Sequence, residues 1–264
     1  MRSEDRIKMD LTRMQFRYII SGLLVLPFAP FLYLQGQYTR YKVGRLPDAS
    51  GEPTGVVPGK RGAMRVLAIG ESTIAGVGVE DLSNALGGRF AEHLGERTGS
   101  SVIWHSLGVS GITVRRALDE LVPRVPGEEF EVIVVALGGN DVFNFRSPLS
   151  FRNDMEMLVA RLRARCPGAH IFFANVPMVR DAIALPHPLK YVLSRLAKLH
   201  HFNLIDMVSK MQGVFYFHEV KRVTDDFFSD GVHPSEKGYD LWARDMVDFF
   251  IRESRIEITE GPPD

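Results

Sequence analysis

Residues 66–78 read VLAIGESTIAGVG, an apolar run that enters a loop of small residues and glycines. The run is typical of a buried β-strand that ends at Gly70. A serine just after such a strand has three common settings. The loop backbone can bind a phosphate group, Ser72 can act as a nucleophile, or Ser72 can cap the next helix. The loop alone leaves all three open.

The chain after residue 63 repeats this pattern of strand and helix. Apolar runs predict strands, and amphipathic segments between them predict helices. The predicted strands lie at 64–70, 101–108, 131–139, 169–176 and 202–207, and the predicted helices lie within 83–99, 113–125 and 152–168. Apolar strands alternate with helices when a parallel sheet is covered on both faces. The sequence therefore predicts an α/β fold, a three-layer α/β/α sandwich around a central parallel sheet of about five strands.

Three polar or small residues follow the first three predicted strands. Ser72 follows the first strand, Gly108 ends the second and Asn140 follows the third. Parallel strands place their carboxyl ends at one edge of the sheet, where ligands bind in open α/β folds. We therefore expect these three positions to converge on one rim.

Composition excludes several classes of protein. The chain has 264 residues, of which 45% are apolar and 24% charged, so it is long and apolar enough to bury a core. Its 32 basic and 32 acidic residues cancel, which leaves no net charge to attract nucleic acid. We predict no nucleic-acid partner. The single cysteine, Cys166, excludes an intrachain disulfide and is interpreted as a small buried apolar residue.

Two phosphate-binding patterns are missing from the opening loop. A P-loop needs lysine after its second glycine, and Val77 follows Gly76 here. The glycine pattern of dinucleotide-binding loops is also absent, because Gly70 and Gly76 are too far apart.

The sequence contains no H-E-x-x-H zinc motif. The adjacent His200 and His201 are expected to be a surface pair at the start of a strand. We therefore predict no metal and no cofactor.

The segment SDGVHPSEKGYDLWA, residues 229–243, carries a second set of polar side chains. Pro234 favours an extended backbone at His233, and in such a turn the Asp230 carboxylate can reach the imidazole. A helix is expected to begin near Ser235, which is a suitable N-cap. The structural alternative is that Asp230 only shapes the turn and His233 is a surface residue.

Ser72 and this segment together favour nucleophilic catalysis. A serine hydroxyl is too weakly acidic to attack an ester without help. His233 can take its proton, while Asp230 fixes the imidazole tautomer and stabilises the imidazolium. The chain order of Ser72, Asp230 and His233 is compatible with that chemistry.

Four short motifs occur in order along the chain after residue 63. They are IGEST at 69–73, SLGVSG at 106–111, GGND at 138–141 and DGVHP at 230–234. In this order and spacing they resemble the four conserved blocks of the SGNH, or GDSL-type, serine hydrolases. The resemblance spans essentially the whole domain and implies a flavodoxin-like α/β/α fold.

The resemblance also implies a role for each matching residue. Ser72 would be the nucleophile of a triad with Asp230 and His233. The oxyanion hole would consist of the backbone N–H groups of Ser72 and Gly108 and the side-chain amide of Asn140. These residue types suit that role, because glycine permits close approach and an amide donates without titrating.

Three positions depart from the usual motif pattern. Glu71 stands where the family usually has aspartate, Thr73 where it usually has leucine, and Ser106 where many members have asparagine. None of the three is a reacting group, so the departures concern subfamily and substrate rather than chemistry. Asp141 is interpreted as a structural residue that holds its loop.

The predicted activity is hydrolysis of a carboxylic ester of modest size through an acyl-enzyme on Ser72. A deacetylase or acyltransferase acting on an envelope glycan or lipid is the second interpretation, because an alcohol can also resolve an acyl-enzyme. The third is a membrane-tethered binding domain without turnover.

Residues 178–200 are expected to form an extended LPHPL stretch and then a helix. This segment is expected to be a wall or lid of the pocket, or an ordinary connection between strands.

The N-terminal region differs from the rest of the chain. We divide the sequence into a basic segment (1–17), an uncharged apolar segment (18–34), a Gly/Pro-rich tether (35–62), the hydrolase domain (63–254) and a flexible tail (255–264). The apolar segment spans ~25 Å as a helix, slightly less than the ~30 Å hydrocarbon core. It is interpreted as a membrane anchor, with a cleaved signal or an interfacial helix as alternatives.

The orientation of this segment is predicted from its charged flanks. Basic residues lie on both sides, and more of them precede it. The positive-inside rule then favours a cytoplasmic N-terminus and a catalytic domain outside the cytoplasm, in the periplasm of a bacterium. Secretion after signal cleavage is the alternative.

Overall fold

The computed structural model describes residues 10–44, 46–176, 179, 184–219 and 225–254. The tail at 255–264, most of the segment 1–10 and part of 177–183 lie outside these residues. The strands are β1 (Thr54–Val57), β2 (Arg61–Gly70), β3 (Ser100–Gly108), β4 (Val132–Ala136), β5 (His170–Phe173) and β6 (Val214–Tyr216). The helices are α1 (Leu11–Val25), α2 (Ala29–Val43), α3 (Leu86–Thr98), α4 (Val114–Glu120), α5 (Gly139–Phe143), α6 (Pro148–Arg165), α7 (Leu189–Val208) and α8 (Glu236–Ser254).

The strands form one sheet in the order β1-β3-β2-β4-β5-β6. All neighbouring pairs are parallel except β1 with β3. From β2, the chain first adds β3 on one side and then places β4 on the other, which is the arrangement of flavodoxin-like sheets. The point of reversal lies between β2 and β4, where such folds bind ligands.

Helices cover both faces of the sheet, and each face has its own apolar core. Strand β2 supplies Leu67 and Ile69 to one core and Val66 and Ala68 to the other, as the two-residue period of a strand requires. The first core contains the buried faces of α4, α6 and α7, and the second contains those of α3 and α8. The predicted three-layer α/β/α sandwich is confirmed.

The predicted tether differs from the structure. Residues 54–57 form strand β1, which pairs antiparallel with β3, and β2 already begins at Arg61. Gly55 lies so close to the Trp104 ring that a Cβ atom there would be 2.7 Å from it. The four-residue strand alternates exposed and half-buried positions, so its sequence carries little apolar signal. The sheet therefore has six strands, one of them antiparallel.

The strand predicted at 202–207 is wrong. These residues form the last turns of α7, and the strand comes later, at Val214–Tyr216. Buried residues continue at helical spacing from Leu189 through Leu193 and Leu196 to Leu204. A six-residue apolar run does not distinguish a strand from the end of such a helix.

The surface location predicted for His200 and His201 is also wrong. Both side chains are buried in α7. His200 Nε2 lies 2.9 Å from the Arg146 carbonyl oxygen, and His201 Nδ1 lies 2.7 Å from the Tyr216 hydroxyl. Burial lowers the pKa of each imidazole to about 4. They are core residues that satisfy buried polar groups. The burial predicted for Cys166 is confirmed.

The N-terminal helices pack along the outer side of α6 and α7. Their inner stripe buries Met14 and Leu32. The Tyr18 hydroxyl donates to the Phe145 carbonyl oxygen at 2.7 Å. Gln35 accepts from the Leu189 N–H at 3.2 Å and donates to the His187 carbonyl oxygen at 2.7 Å. Helix α1, through Tyr18, and helix α2, through Gln35, are thus each in contact with the domain.

We expect the domain to keep its stability without α1 and α2 and to be destabilised without β1. Residues 46–264 retain strand β1 and the Ala49 N–H bond to the Ala75 carbonyl oxygen at 2.9 Å. Residues 62–264 lose both and expose the edge of β3. We expect 46–264 to be soluble with one cooperative thermal transition, and 62–264 to aggregate or to melt roughly 5–10 °C lower. Equal melting temperatures would show that β1 lies outside the cooperative unit.

Candidate active site

The pairing of the central strands brings three of the predicted site residues to one rim. Gly70, the last residue of β2, lies opposite Gly108 of β3 on one side and Ala136 of β4 on the other. Three chain segments therefore leave the sheet at the same level. Ser72 follows Gly70 by two residues, and Asn140 lies at the start of α5, which follows β4. The expected convergence of Ser72, Gly108 and Asn140 is observed.

Ser72 begins a tight turn that rests on β3. The Ser72 carbonyl oxygen accepts from the Val77 N–H at 3.0 Å, and the Glu71 carbonyl oxygen accepts from the Ala75 N–H at 3.0 Å. A Cβ atom on Gly108 would lie 2.3 Å from the Ala75 nitrogen, so only glycine fits beneath the turn. Ser72 is half-buried, and its N–H donates to no acceptor among the described residues.

Asp230 and His233 form a hydrogen-bonded pair, as the sequence predicts. Asp230 Oδ2 lies 2.7 Å from His233 Nδ1, and Oδ1 accepts the backbone N–H groups of Val232 and His233 at 2.8 and 2.7 Å. Burial alone would raise the pKa of Asp230, but the hydrogen bonds from His233 lower it below its usual range. The ionised carboxylate fixes the ring with Nδ1–H as donor, which leaves Nε2 as the basic nitrogen.

Two close contacts join the Ser72 turn to the His233 loop. A Cβ atom on Gly78 would lie 2.4 Å from the Pro234 carbonyl oxygen. The buried Tyr239 hydroxyl donates to the Val77 carbonyl oxygen at 2.8 Å. No hydrogen bond joins the Ser72 hydroxyl to His233 within the described part of the chain. Such catalytic bonds often shorten only when substrate is bound.

Asn140 is held by the residue that precedes the serine. Its side-chain Nδ2 donates to Glu71 Oε2 at 2.6 Å and to the Ile112 carbonyl oxygen at 3.1 Å. The Glu71 carboxylate also accepts the backbone N–H groups of Gly139 and Asn140, each at 3.0 Å. Burial raises the pKa of Glu71 to about 7, although these hydrogen bonds oppose the shift.

Asp141 has the structural position that the sequence predicts. It is fully buried, and its Oδ2 accepts the N–H of Val114, the first residue of α4. Burial raises the pKa of this carboxyl to about 6. The side chain thus connects the GGND loop to the amino end of a neighbouring helix.

Sequence reasoning missed Gly78, Tyr239 and the hydrogen-bonding role of Glu71. The motif itself marks Glu71 as a carboxylate beside Ser72, but its partners come from a segment 68 residues away. Gly78 has φ near 103°, which residues with a side chain rarely adopt. The glycines of GVG at 76–78 are the sequence signal for such a backbone conformation. Tyr239 gives no sequence signal beyond its place on the buried face of α8.

The sequence profile of the GDSL-like Lipase/Acylhydrolase family matches residues 68–241, about two thirds of the chain. The chain belongs to this family. Its members are ester hydrolases, and the match covers all four motifs. A search of curated proteins gave no match.

Solved structures of esterases and a phospholipase are similar to the chain. A Clostridium thermocellum family 3 carbohydrate esterase is 18% identical over 73% of this chain and 98% of its own, with a TM-score of 0.55. Phospholipase A1 from Streptomyces albidoflavus is 14% identical over 70% and 98%, with a TM-score of 0.52. A family two carbohydrate esterase from Clostridium thermocellum is 16% identical over 75% of this chain but 65% of its own, with a TM-score of 0.55. At these identities the similarity shows the fold.

The described residues contain no cluster of three or more His, Cys, Asp or Glu side chains that could hold a metal ion. The side chains gathered at this rim are instead a hydroxyl, an imidazole, two carboxylates and an amide. That set is suited to proton transfer and to stabilising a developing negative charge.

Gly78→Ala is expected to separate the Ser72 turn from the His233 loop, because the new Cβ would overlap the Pro234 carbonyl oxygen. A displacement of about 1 Å costs roughly 100-fold in rate, so kcat/KM on a chromogenic ester should fall by about 10- to 100-fold. Gly127→Ala is the matched control, because a Cβ there has no atom within 4 Å. Equal activity of the two variants would show that this contact does not position the catalytic groups.

Proposed function

We propose that this family member hydrolyses carboxylic esters through an acyl-enzyme on Ser72. The observation that carries the proposal is the Asp230–His233 pair, in which Oδ2 lies 2.7 Å from Nδ1. The pair lies on a loop that packs against the turn of Ser72. A histidine oriented by a carboxylate is the group that a serine nucleophile requires.

In the proposed reaction, His233 acts first as a base and then as an acid in each half-reaction. His233 Nε2 takes the proton of Ser72 Oγ as the oxygen attacks the ester carbonyl carbon. The imidazolium then gives this proton to the departing alcohol oxygen, and the acyl group remains on Ser72. Water attacks the acyl-enzyme in the same way, losing a proton to His233, and the carboxylic acid leaves as the proton returns to Ser72 Oγ.

The negative charge on the carbonyl oxygen needs hydrogen-bond donors. We propose the N–H groups of Ser72 and Gly108 and the Asn140 amide for this role. The Ser72 N–H has no acceptor among the described residues, which supports its place in the set. Donors placed before the reaction begins stabilise the tetrahedral intermediate without reorganising.

A second candidate is removal or transfer of an acyl group on a glycan or lipid. Carbohydrate esterases and a phospholipase are among the similar structures, which supports such substrates. The same acyl-enzyme would form, and an alcohol would replace water in a transferase. Product analysis with and without an added alcohol acceptor distinguishes hydrolysis from transfer.

Ser72→Ala should abolish ester hydrolysis with a loss of roughly 10⁴-fold or more, because the nucleophile is removed. It should also abolish covalent labelling by a fluorophosphonate. Ser209→Ala is the matched control, since that serine is exposed at the end of α7, and it should keep both properties. Near-normal turnover by folded Ser72→Ala protein would refute the assignment, and a wild-type protein that takes no label would favour a binding domain without turnover.

We also propose that the N-terminal helix attaches the enzyme to a membrane. Residues Leu11–Thr39 form a helix long and apolar enough to cross a bilayer. Its outward side exposes a continuous apolar surface. The exposed residues are Phe16, Ile19, Ile20, Leu23, Leu24, Leu26, Phe28, Phe31, Tyr33, Leu34, Tyr38 and Tyr41. The location of the domain outside the cytoplasm stays a prediction of the charge pattern.

The full-length protein should remain with the membrane fraction after an alkaline wash, whereas residues 46–264 should stay in the supernatant. Leu23→Glu combined with Leu24→Glu should weaken the attachment, because both side chains are exposed and would carry charge into lipid. The control is glutamine at the same two positions, which adds polarity without charge and should release less protein. Full-length protein that is soluble without detergent would contradict membrane attachment.

A further inference from the structure

Glu71 is a buried carboxylate that the reaction scheme does not use. It directly precedes Ser72, and only 5% of its surface is exposed. Burying a carboxylate is costly unless hydrogen bonds compensate for lost hydration. Here the carboxylate accepts three N–H groups, all from Gly139 and Asn140. Its contacts thus lead to the segment that carries the proposed oxyanion donor.

The hydrogen bonds of Asn140 account for both protons of its side-chain amide. One N–H points to Glu71 Oε2 at 2.6 Å, which is a short bond to a charged acceptor. The other points to the Ile112 carbonyl oxygen at the longer distance of 3.1 Å. If Asn140 is to donate to an oxyanion, it must release one of these two acceptors. The weaker bond, to the neutral Ile112 carbonyl, is the one to release.

We propose that Glu71 is a positioning residue that holds the Asn140 amide, so that its second N–H moves from the Ile112 carbonyl oxygen to the oxyanion. This inference rests on the proposed function. Glu71 does not touch the substrate in this scheme and takes no proton from it. Its Oε2 holds the side-chain amide and the backbone N–H of Asn140, and its Oε1 holds the Gly139 N–H. These bonds restrict the rotation that would otherwise weaken the oxyanion hole.

The surroundings of Glu71 make its charge state sensitive to pH. The titratable groups that face it are Asp141 on α5 and Tyr239 on α8. A small cavity beside it is otherwise lined by uncharged residues at the ends of β2, β4 and β5 and on α8, namely Thr73, Ala136, Leu137, Ala174, Asn175 and Trp242. Burial raises the pKa of Glu71 to about 7. The ionised form, which can accept all three donors, is therefore lost as the pH falls through neutrality.

Glu71→Gln tests the proposal with little change of shape. The glutamine amide can accept on one atom but presents N–H groups on the other, so at least one of the three donors loses its partner. We expect kcat to fall by about 10- to 100-fold with KM little changed, because the lost interaction acts in the transition state. Glu71→Asp keeps the carboxylate and should retain more activity than Glu71→Gln. The control is Glu131→Gln, which changes an exposed carboxylate that accepts the Arg65 N–H. It should keep the wild-type kcat and KM.

A double-mutant cycle separates positioning from general support of the fold. Asn140→Ala alone should lower kcat by roughly 10²- to 10³-fold. If Glu71 acts through Asn140, the combination with Glu71→Gln should lose little more than Asn140→Ala alone. The proposal would be overturned if the kcat losses of the two single variants multiplied in the double variant, or if Glu71→Gln changed only KM. The pH profile gives a further readout, because the low-pH decline in kcat should become less steep in Glu71→Gln.

One measurement is independent of activity. In ¹⁵N-labelled protein, the side-chain amide signal of Asn140 should move with pH near 7 and lose that movement in Glu71→Gln. An Asn140 signal that changes neither with pH nor with the Glu71 substitution would refute the pairing of Asn140 with Glu71. If the signal behaves as expected but Ser72→Ala protein still hydrolyses esters, the pairing stands and the proposed function fails.

Discussion

The parallel register of the three central strands is the constraint on which the site depends. Gly70 of β2 lies opposite both Gly108 of β3 and Ala136 of β4. Because the ladders end at one level, the turn of Ser72, the end of β3 and the start of α5 are neighbours without any long-range loop. The apolar cores on both faces hold that register, since a slip by one residue would turn each strand's side chains to the wrong core.

The rim combines close backbone contacts with a buried carboxylate, which is costly to remove from water. Gly108 and Gly78 allow two loops to approach where any side chain would collide. Glu71 keeps a carboxylate in a site where burial raises its pKa to about 7. Such features recur at functional sites, where local rules of stability are broken in favour of geometry. The glutamate beside Ser72 therefore belongs to the architecture of the site rather than to its surface.

The N-terminal helix contacts the segment that follows α5. Its Tyr18 hydroxyl bonds the carbonyl oxygen of Phe145, five residues after Asn140. The Phe145 side chain is itself exposed. The proposed membrane attachment would concentrate the enzyme at the lipid surface.

The sequence by itself determined the layered α/β fold, the strands β2 to β5 and the identity of the four motifs. Those features are local: apolar runs, helical spacing, and polar residues just after strands. The tertiary structure alone decided the antiparallel strand β1, the extension of α7 through 202–207 and the burial of His200 and His201. It also decided the partners of Glu71, Gly78 and Tyr239. Each of these depends on contacts between residues far apart in the chain, and no local pattern encodes which distant atom will fill a given space.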